Sequence, residues 1–386
     1  MDFALPADDD PRRTRLRQWF LDHPTPSPRD LAERGLVAPH WPEPWGLGAD
    51  PTHQLIVDAE LRRAGVRRPE NTIGIGWAGP TLLYAGTTQQ KDRYLGPLLA
   101  GEEIWCQLFS EPDAGSDLAS LTTRAVPDGD EWVVEGRKVW TSYAHGAHYG
   151  ILLARTEPDA PTHQGISYFI CPMDAPGVTV RPLVDMTGTH TFNEVELDGV
   201  RLSADSLVGR RGQGWSLAKV TLGNVRVSLS GSGALWGMGP TADDLVDLVR
   251  RSGGTGDPRL RQQLARLWAE GEVLRLLRLR TVSAALAGAE PGPEASVRKA
   301  LADAHGQHVM ALAHDLAGAR GMLAGAGPFD PQSPVGAETG LTASSSPVWG
   351  YGFLFAPALT IGGGTAEVQR NIIAERTLGL PHDPPG

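Results

Sequence analysis

From Thr14 to about Gly101, apolar residues recur at three- and four-residue spacing, most clearly in Gln54 to Ala64 and Gln89 to Ala100, which predicts amphipathic helices. A cluster of prolines between Pro24 and Pro44 breaks the pattern early. The middle of the chain reads differently. Glu131 to Thr141, Tyr149 to Arg155, Gly165 to Pro172 and Thr191 to Leu197 are short, partly alternating runs rich in Val, Ile, Tyr and Phe, which predicts strands. Turn signals fall between them at Asp128-Gly129-Asp130, Ala175-Pro176-Gly177 and Asp198-Gly199. After Gly214 the helical period returns, broken at Ser252 to Asp257, at Ala289 to Pro293 and through the Gly/Ser/Pro-rich stretch Gly325 to Pro347.

Helices, then strands, then helices predict an α+β protein with a β-domain inserted between helical layers, not a doubly wound parallel sheet. The expected divisions are an N-terminal helical domain over 1–104, a central β-domain over 105–213 and a C-terminal helical domain over 214–386. A chain of 386 residues is too long for one small core and suits two or three packed units sharing a cofactor cleft. Hydrophobic residues at 41% and charged residues at 21% match ordinary globular usage and exclude disorder. The formal charge is -10 with acidic and basic residues interspersed, so no basic stripe exists to hold nucleic acid. The two cysteines, Cys106 and Cys171, sit in apolar surroundings without metal-ligand spacing; no metal is expected, and buried thiols in a reducing cytosol fit. The acidic start, Met1 to Asp10, lacks the features of a secretory signal, and no stretch reaches transmembrane length. A cytoplasmic location and no membrane partner are expected.

Three segments carry the chemistry. The first is Trp105-Cys106-Gln107-Leu108-Phe109-Ser110-Glu111-Pro112-Asp113-Ala114-Gly115-Ser116-Asp117. The second is Gly136-Arg137-Lys138-Val139-Trp140-Thr141-Ser142. In the third, Thr360 to Arg376, the turn Gly362-Gly363-Gly364 opens a helix, and exposed amides at a helix start suit an anionic group or a polarised carbonyl. Taken alone, Trp140 reads as core packing and the glycine turn as a simple helix start. Taken together, over nearly the whole chain from about Gln54 to Pro381, the segments resemble the acyl-CoA dehydrogenase superfamily.

That resemblance implies the acyl-CoA dehydrogenase fold, an FAD-dependent oxidoreductase, and a flavin in the cleft where the β-domain meets the C-terminal helices. It places Gln107, Phe109, Ser110 and Ser116 against the flavin ring, where N–H and O–H donors stabilise the electron-rich reduced form. It stacks Trp140 on the isoalloxazine and puts Thr141 and Ser142 near N5. It gives FAD contacts to Thr365 and Glu367, and it makes Asp315 to Gly321, with Asp315 and Gly318, the loop that meets the adenosine end from a neighbouring subunit; Asp315 replaces a more usual glutamine. The thioester carbonyl would be held by the backbone amide of Gly363 and a flavin hydroxyl, with Arg226 the charged candidate near the pocket. Implied partners are an acyl-CoA or acyl-carrier-protein thioester, electron-transfer flavoprotein or O2 as electron acceptor, and further subunits in a homodimer, homotetramer or heteromer.

The resemblance fails at one place. α,β-Oxidation removes a proton from Cα while a hydride leaves Cβ, and a carboxylate must receive the proton. The family keeps that glutamate in one of two positions, occupied here by Gly363 and Val225. Neither side chain titrates. Several readings follow. A substitute base would come from Glu111, Asp113, His145 or His148, although the carboxylates also read as caps of their own turn and the histidines as loop residues. Flavin chemistry of monooxygenase or desulfinase type needs no α-proton removal. A non-catalytic subunit of a heteromeric dehydrogenase would borrow its partner's glutamate. In a different class altogether, a binding or scaffold protein would keep the fold without the cofactor.

Overall fold

In the computed structural model the described residues are 6–228, 233–236, 238–252, 256–286, 292–319 and 346–382, without the side chains of 226–228, 282, 285, 286, 346 and 347. Contacts divide the chain into two units: Met1–Leu183 with His190–Asn224, and Val184–Thr189 with Val225–Gly386.

In the first unit, helices α1 (Pro11–Asp22), α2 (Pro28–Glu33), α3 (Pro51–Ala64), α4 (Gly79–Ala85) and α5 (Thr88–Leu99) precede the sheet. Three of them begin on proline, whose fixed φ and missing N–H suit the first helical position. Pro28 therefore starts a helix, with Ser27 and Asp30 forming a reciprocal capping box in front of it. Thr87 and Gln90 do the same for α5.

The strands are β1 (Trp105–Leu108), β2 (Arg124–Asp128), β3 (Glu131–Ser142), β4 (Tyr149–Arg155), β5 (Ile166–Pro172), β6 (Val178–Leu183), β7 (Phe192–Ser203) and β8 (Leu207–Val208). They form one sheet in the order β6-β7-β3-β2-β4-β5-β8, with β1 parallel to β4. Both faces are covered at its centre. Ile151 and Leu153 join the core shared with the helices, while Leu152 and Ala154 join a second core with Phe169 and Cys171. That is why β4 and β5 read as nearly continuous apolar runs. Helix α6 (Gly214–Ser228) is tied to this unit by a buried hydroxyl chain: Thr221 Oγ1 lies 3.0 Å from the Tyr168 hydroxyl and 2.8 Å from Thr81 Oγ1.

The second unit is helical: α7 (Ala242–Arg251), α8 (Pro258–Leu286), α9 (Glu294–Ala317), α10 (Ser346–Phe355) and α11 (Ala366–Ile372). Helix α9 is its axis and packs against α8, α10, α11 and the short 3-10 turn at Ala356–Thr360. Close approach explains Gly306, where a Cβ would lie 2.1 Å from the Ala234 carbonyl oxygen. No helix among the described residues is long and apolar enough to cross a membrane.

Candidate active site

The first unit brings the two β-domain segments together. The Val139 amide donates to the Ser110 carbonyl at 2.9 Å, so the end of β1 and the C-terminal part of β3 lie side by side. The pairing of β3 with β7 slips between Lys138 and Thr141, and Trp140 takes a left-handed φ of 58° within that bulge. A bulge of this kind re-aims a side chain, and φ in this region is unusual for a bulky residue. The indole stands 62% exposed, with Phe192 edge-on at 6.0 Å.

Around it, side chains divide by depth. Phe109 is buried edge-on to Tyr168, so its ring belongs to the core. Gln107 keeps a buried Oε1 with no partner among the described residues, and so does the fully enclosed hydroxyl of Thr141. Ser142 is half-buried, whereas Ser116 and Asp113 are exposed. The Ser110 N–H finds no acceptor among the described residues.

Beneath this surface lies a charged pair. Lys138 is 0% exposed; its Nζ donates to Glu111 Oε1 at 2.8 Å and to the Phe109 carbonyl at 3.1 Å. Glu111 also accepts from the Thr122 amide and hydroxyl and from the Thr123 amide. Burial resists its charge, but Lys138 and these donors outweigh it and hold the carboxyl at about 2. For Lys138 burial outweighs the attraction of Glu111 and brings the ammonium down to about 8. Glu111 is therefore not a cap of its own turn, and a carboxylate so fully engaged is not a base. The thiols of Cys106 and Cys171 are buried, and burial raises both, Cys171 to about 12.

His145 and His148 are exposed. His148 Nδ1 faces the Ile104 amide at 3.1 Å. His145 contacts Asn193 Oδ1 at 3.3 Å and meets the His190 ring with centroids 5.0 Å apart. His145, His190 and Asn193 line a cavity of about 390 Å³ with Ala144, Met173 and Asp174.

In the second unit the glycine turn is held from within. Gly363 and Gly364 both have left-handed φ, 70° and 97°, which glycine adopts freely. Gln369, fully buried in α11, donates Nε2 to both of their carbonyls at 3.2 Å. Their N–H groups meet no acceptor among the described residues. Thr365 is the N-cap of α11, its hydroxyl accepting from the Val368 amide at 3.3 Å, and Glu367 is exposed in the first turn. A Cβ at Gly362 would lie 2.5 Å from the Trp236 ring, whose buried Nε1 has no partner among the described residues. Val225 is 3% exposed on α6, one turn beyond Thr221. The Arg226 side chain lies outside the described residues, as do Arg320 and Gly321. Asp315 is exposed in the last turn of α9, capped by Gly318 in a left-handed φ of 53°, and shares no hydrogen bond with Gly363, Thr365 or Glu367 among the described residues.

Three family profiles match the chain in order: the acyl-CoA dehydrogenase N-terminal domain over residues 10–102, the middle domain over 106–200 and the C-terminal domain over 212–378. The chain belongs to the acyl-CoA dehydrogenase superfamily. It has that superfamily's three-domain fold and is an FAD-dependent oxidoreductase. Acyl-CoA dehydrogenase FadE34 of Mycobacterium tuberculosis is 41% identical over 91% of this chain, which covers 45% of FadE34, less than half of that relative's length. Acyl-CoA dehydrogenase IpdE1 of the same organism is 40% identical over 92% of this chain and 88% of its own length. Among solved structures, the Tcur3481-Tcur3483 steroid ACAD superposes with TM-score 0.76 at 30% identity, over 99% of this chain and all (100%) of that one. The ChsE4-ChsE5 complex from Mycobacterium tuberculosis gives TM-score 0.75 at 28% identity over the same shares, 99% and 100%.

The residues fit the cofactor of an acyl-CoA dehydrogenase. A flavin needs an aromatic face and donors along its polar edge. Trp140 offers the face, held out by a bulge, and the Ser110 amide, without an acceptor among the described residues, and half-buried Ser142 offer donors beside it.

Proposed function

We propose that the chain oxidises an acyl thioester between Cα and Cβ, with the proton acceptor supplied from outside positions 225 and 363. The observation that carries this reading is two backbone donors without an acceptor among the described residues, Ser110 N–H in one unit and Gly363 N–H in the other, each presented by a turn whose carbonyls are tied down. Ser110, Ser116, Trp140 and Ser142 would hold the flavin ring, with Gln107, Phe109 and Thr141 shaping the wall behind it; Thr365, Glu367, Asp315 and Gly318 would meet the rest of the cofactor. Bound FAD supplies the hydride acceptor. The Gly363 amide polarises the thioester carbonyl, acidifying Cα, and does so through backbone alone. Val225 and Gly363 contribute no proton acceptor.

A second feature favours a multi-subunit setting. Two structural relatives bear two-protein names, Tcur3481-Tcur3483 and ChsE4-ChsE5, and the first is called a steroid ACAD. By analogy the base of this chain is a carboxylate of a companion subunit, and the acyl group is polycyclic.

The test is cofactor retention. Purified protein should carry about one FAD per chain, and Trp140→Ala should weaken FAD binding roughly five- to tenfold by removing a stacked face worth about 1 kcal/mol or more. Colourless protein that cannot be reconstituted, or an unchanged affinity in the variant, would overturn the assignment.

A further inference from the structure

The fully enclosed lysine of β3 is unused by the chemistry above. Removing its charge from water is costly, and a hydrophobic pair of similar volume would stabilise the fold at least as well. Its bonds are specific, however. The Phe109–Ser110 peptide is trans, so its C=O and N–H point in opposite directions. Lys138 Nζ takes the C=O from inside at 3.1 Å, and the next residue, Val139, donates to the carbonyl of Ser110 itself at 2.9 Å. Both carbonyls flanking the Ser110 N–H are thus captured by consecutive residues of one strand. Glu111 completes the clamp, anchoring Lys138 on one side and Thr122 and Thr123 on the other.

We propose that Lys138 is a positioning residue for the flavin: by holding the Phe109 carbonyl inward it aims the Ser110 N–H outward, as a fixed donor for the negative charge a reduced flavin gains along its N1–C2 carbonyl edge. This rests on the reading that places Ser110 against the flavin. A donor oriented in advance favours the reduced cofactor over the oxidised one, because it need not reorganise when charge arrives. Lys138 thereby sets a potential, not only a fold.

The experiment compares wild type, Lys138→Met and the double variant Lys138→Met/Glu111→Gln, which removes both charges and keeps the pocket filled if the single change does not fold. The readouts are the two-electron midpoint potential of bound FAD, the FAD dissociation constant and the thermal midpoint of the apoprotein. A hydrogen bond to a charged group is worth enough that reduced FAD should bind about 10- to 100-fold more weakly relative to oxidised FAD. That ratio lowers the potential by about 30 to 60 mV. The double variant should show the lowered potential even where its apoprotein melts near wild type. A potential within 10 mV of wild type in a folded variant, with Trp140→Ala still weakening FAD, overturns the role of Lys138 and leaves the flavin assignment standing. Loss of the Trp140→Ala effect overturns both.

Discussion

Each unit buries a lysine and a carboxylate, and the two pairs behave in opposite ways. In the β-domain, Glu111 collects four donors: the Lys138 ammonium, two amides and a hydroxyl. Its carboxyl is held at about 2. On α9, Asp303 has the Lys299 ammonium at 2.6 Å as its donor, and burial outweighs that attraction, lifting the carboxyl to about 6. Both lysines also reach a backbone carbonyl, Phe109 in one case and Leu359 in the other. A lysine beside a buried carboxylate does not by itself secure the charge. At Glu111 the attraction of the Lys138 ammonium comes first, and three further donors add to it.

The largest expected difference is in the loss of either lysine. Lys138→Met leaves Glu111 with three donors that demand an anion and no counter-ion, so the variant should lose about 3 to 5 kcal/mol in denaturant unfolding. In Lys299→Met, Asp303 can take up a proton and escape, and the loss at neutral pH should be about 1 kcal/mol. Equal losses would mean that the donor count is irrelevant.

A smaller effect separates the pairs by pH. Glu111 titrates below its unfolded value of 4.5, so its stabilisation is complete above that pH and disappears as pH falls toward 2. Asp303 titrates above its unfolded value of 3.8, so its contribution is complete below that pH and is lost as pH rises through about 6. Hydrogen exchange, corrected for its intrinsic pH dependence, should therefore show α9 amides better protected at pH 5 than at pH 7, by up to about tenfold per pH unit, with β3 amides unchanged. Asp303→Asn should abolish the α9 response. A β3 response of the same sign would break the distinction.

These pairs also mark where sequence reasoning stops. The helix–strand–helix order and the three motif segments are legible because period and residue type carry them. Strands β2 and β6 escape the pattern because each contains a proline and at most one fully buried position, although the turns beside them are plain. Lys138 had a usable signal: Trp132 and Val134 set an alternation that puts residue 138 on the buried face, against the habit of reading lysine as solvated. Lys299 and Asp303 stand four apart and look like an ordinary surface pair, and nothing local tells that α9 is the axis of its unit. Gln369 and Trp236 depend on tertiary contacts with the glycine turn and leave no trace at the level of spacing.

The proposal that a companion subunit supplies the base is tested most directly by anaerobic stopped-flow reduction of FAD-loaded wild type and Val225→Glu with several acyl-CoAs, a polycyclic one included. Wild type on its own should bleach its flavin slowly or not at all. Val225→Glu should be faster by about 10² to 10⁴, the usual contribution of general-base catalysis, if the Gly363 amide already holds the carbonyl. Gly363→Glu should gain far less, because residue 363 sits at a φ of 70° that a side chain strains to follow. Rapid reduction of the unaltered chain alone would contradict a base supplied by a companion subunit and would turn attention to His145, and no reduction by any variant would contradict thioester oxidation itself.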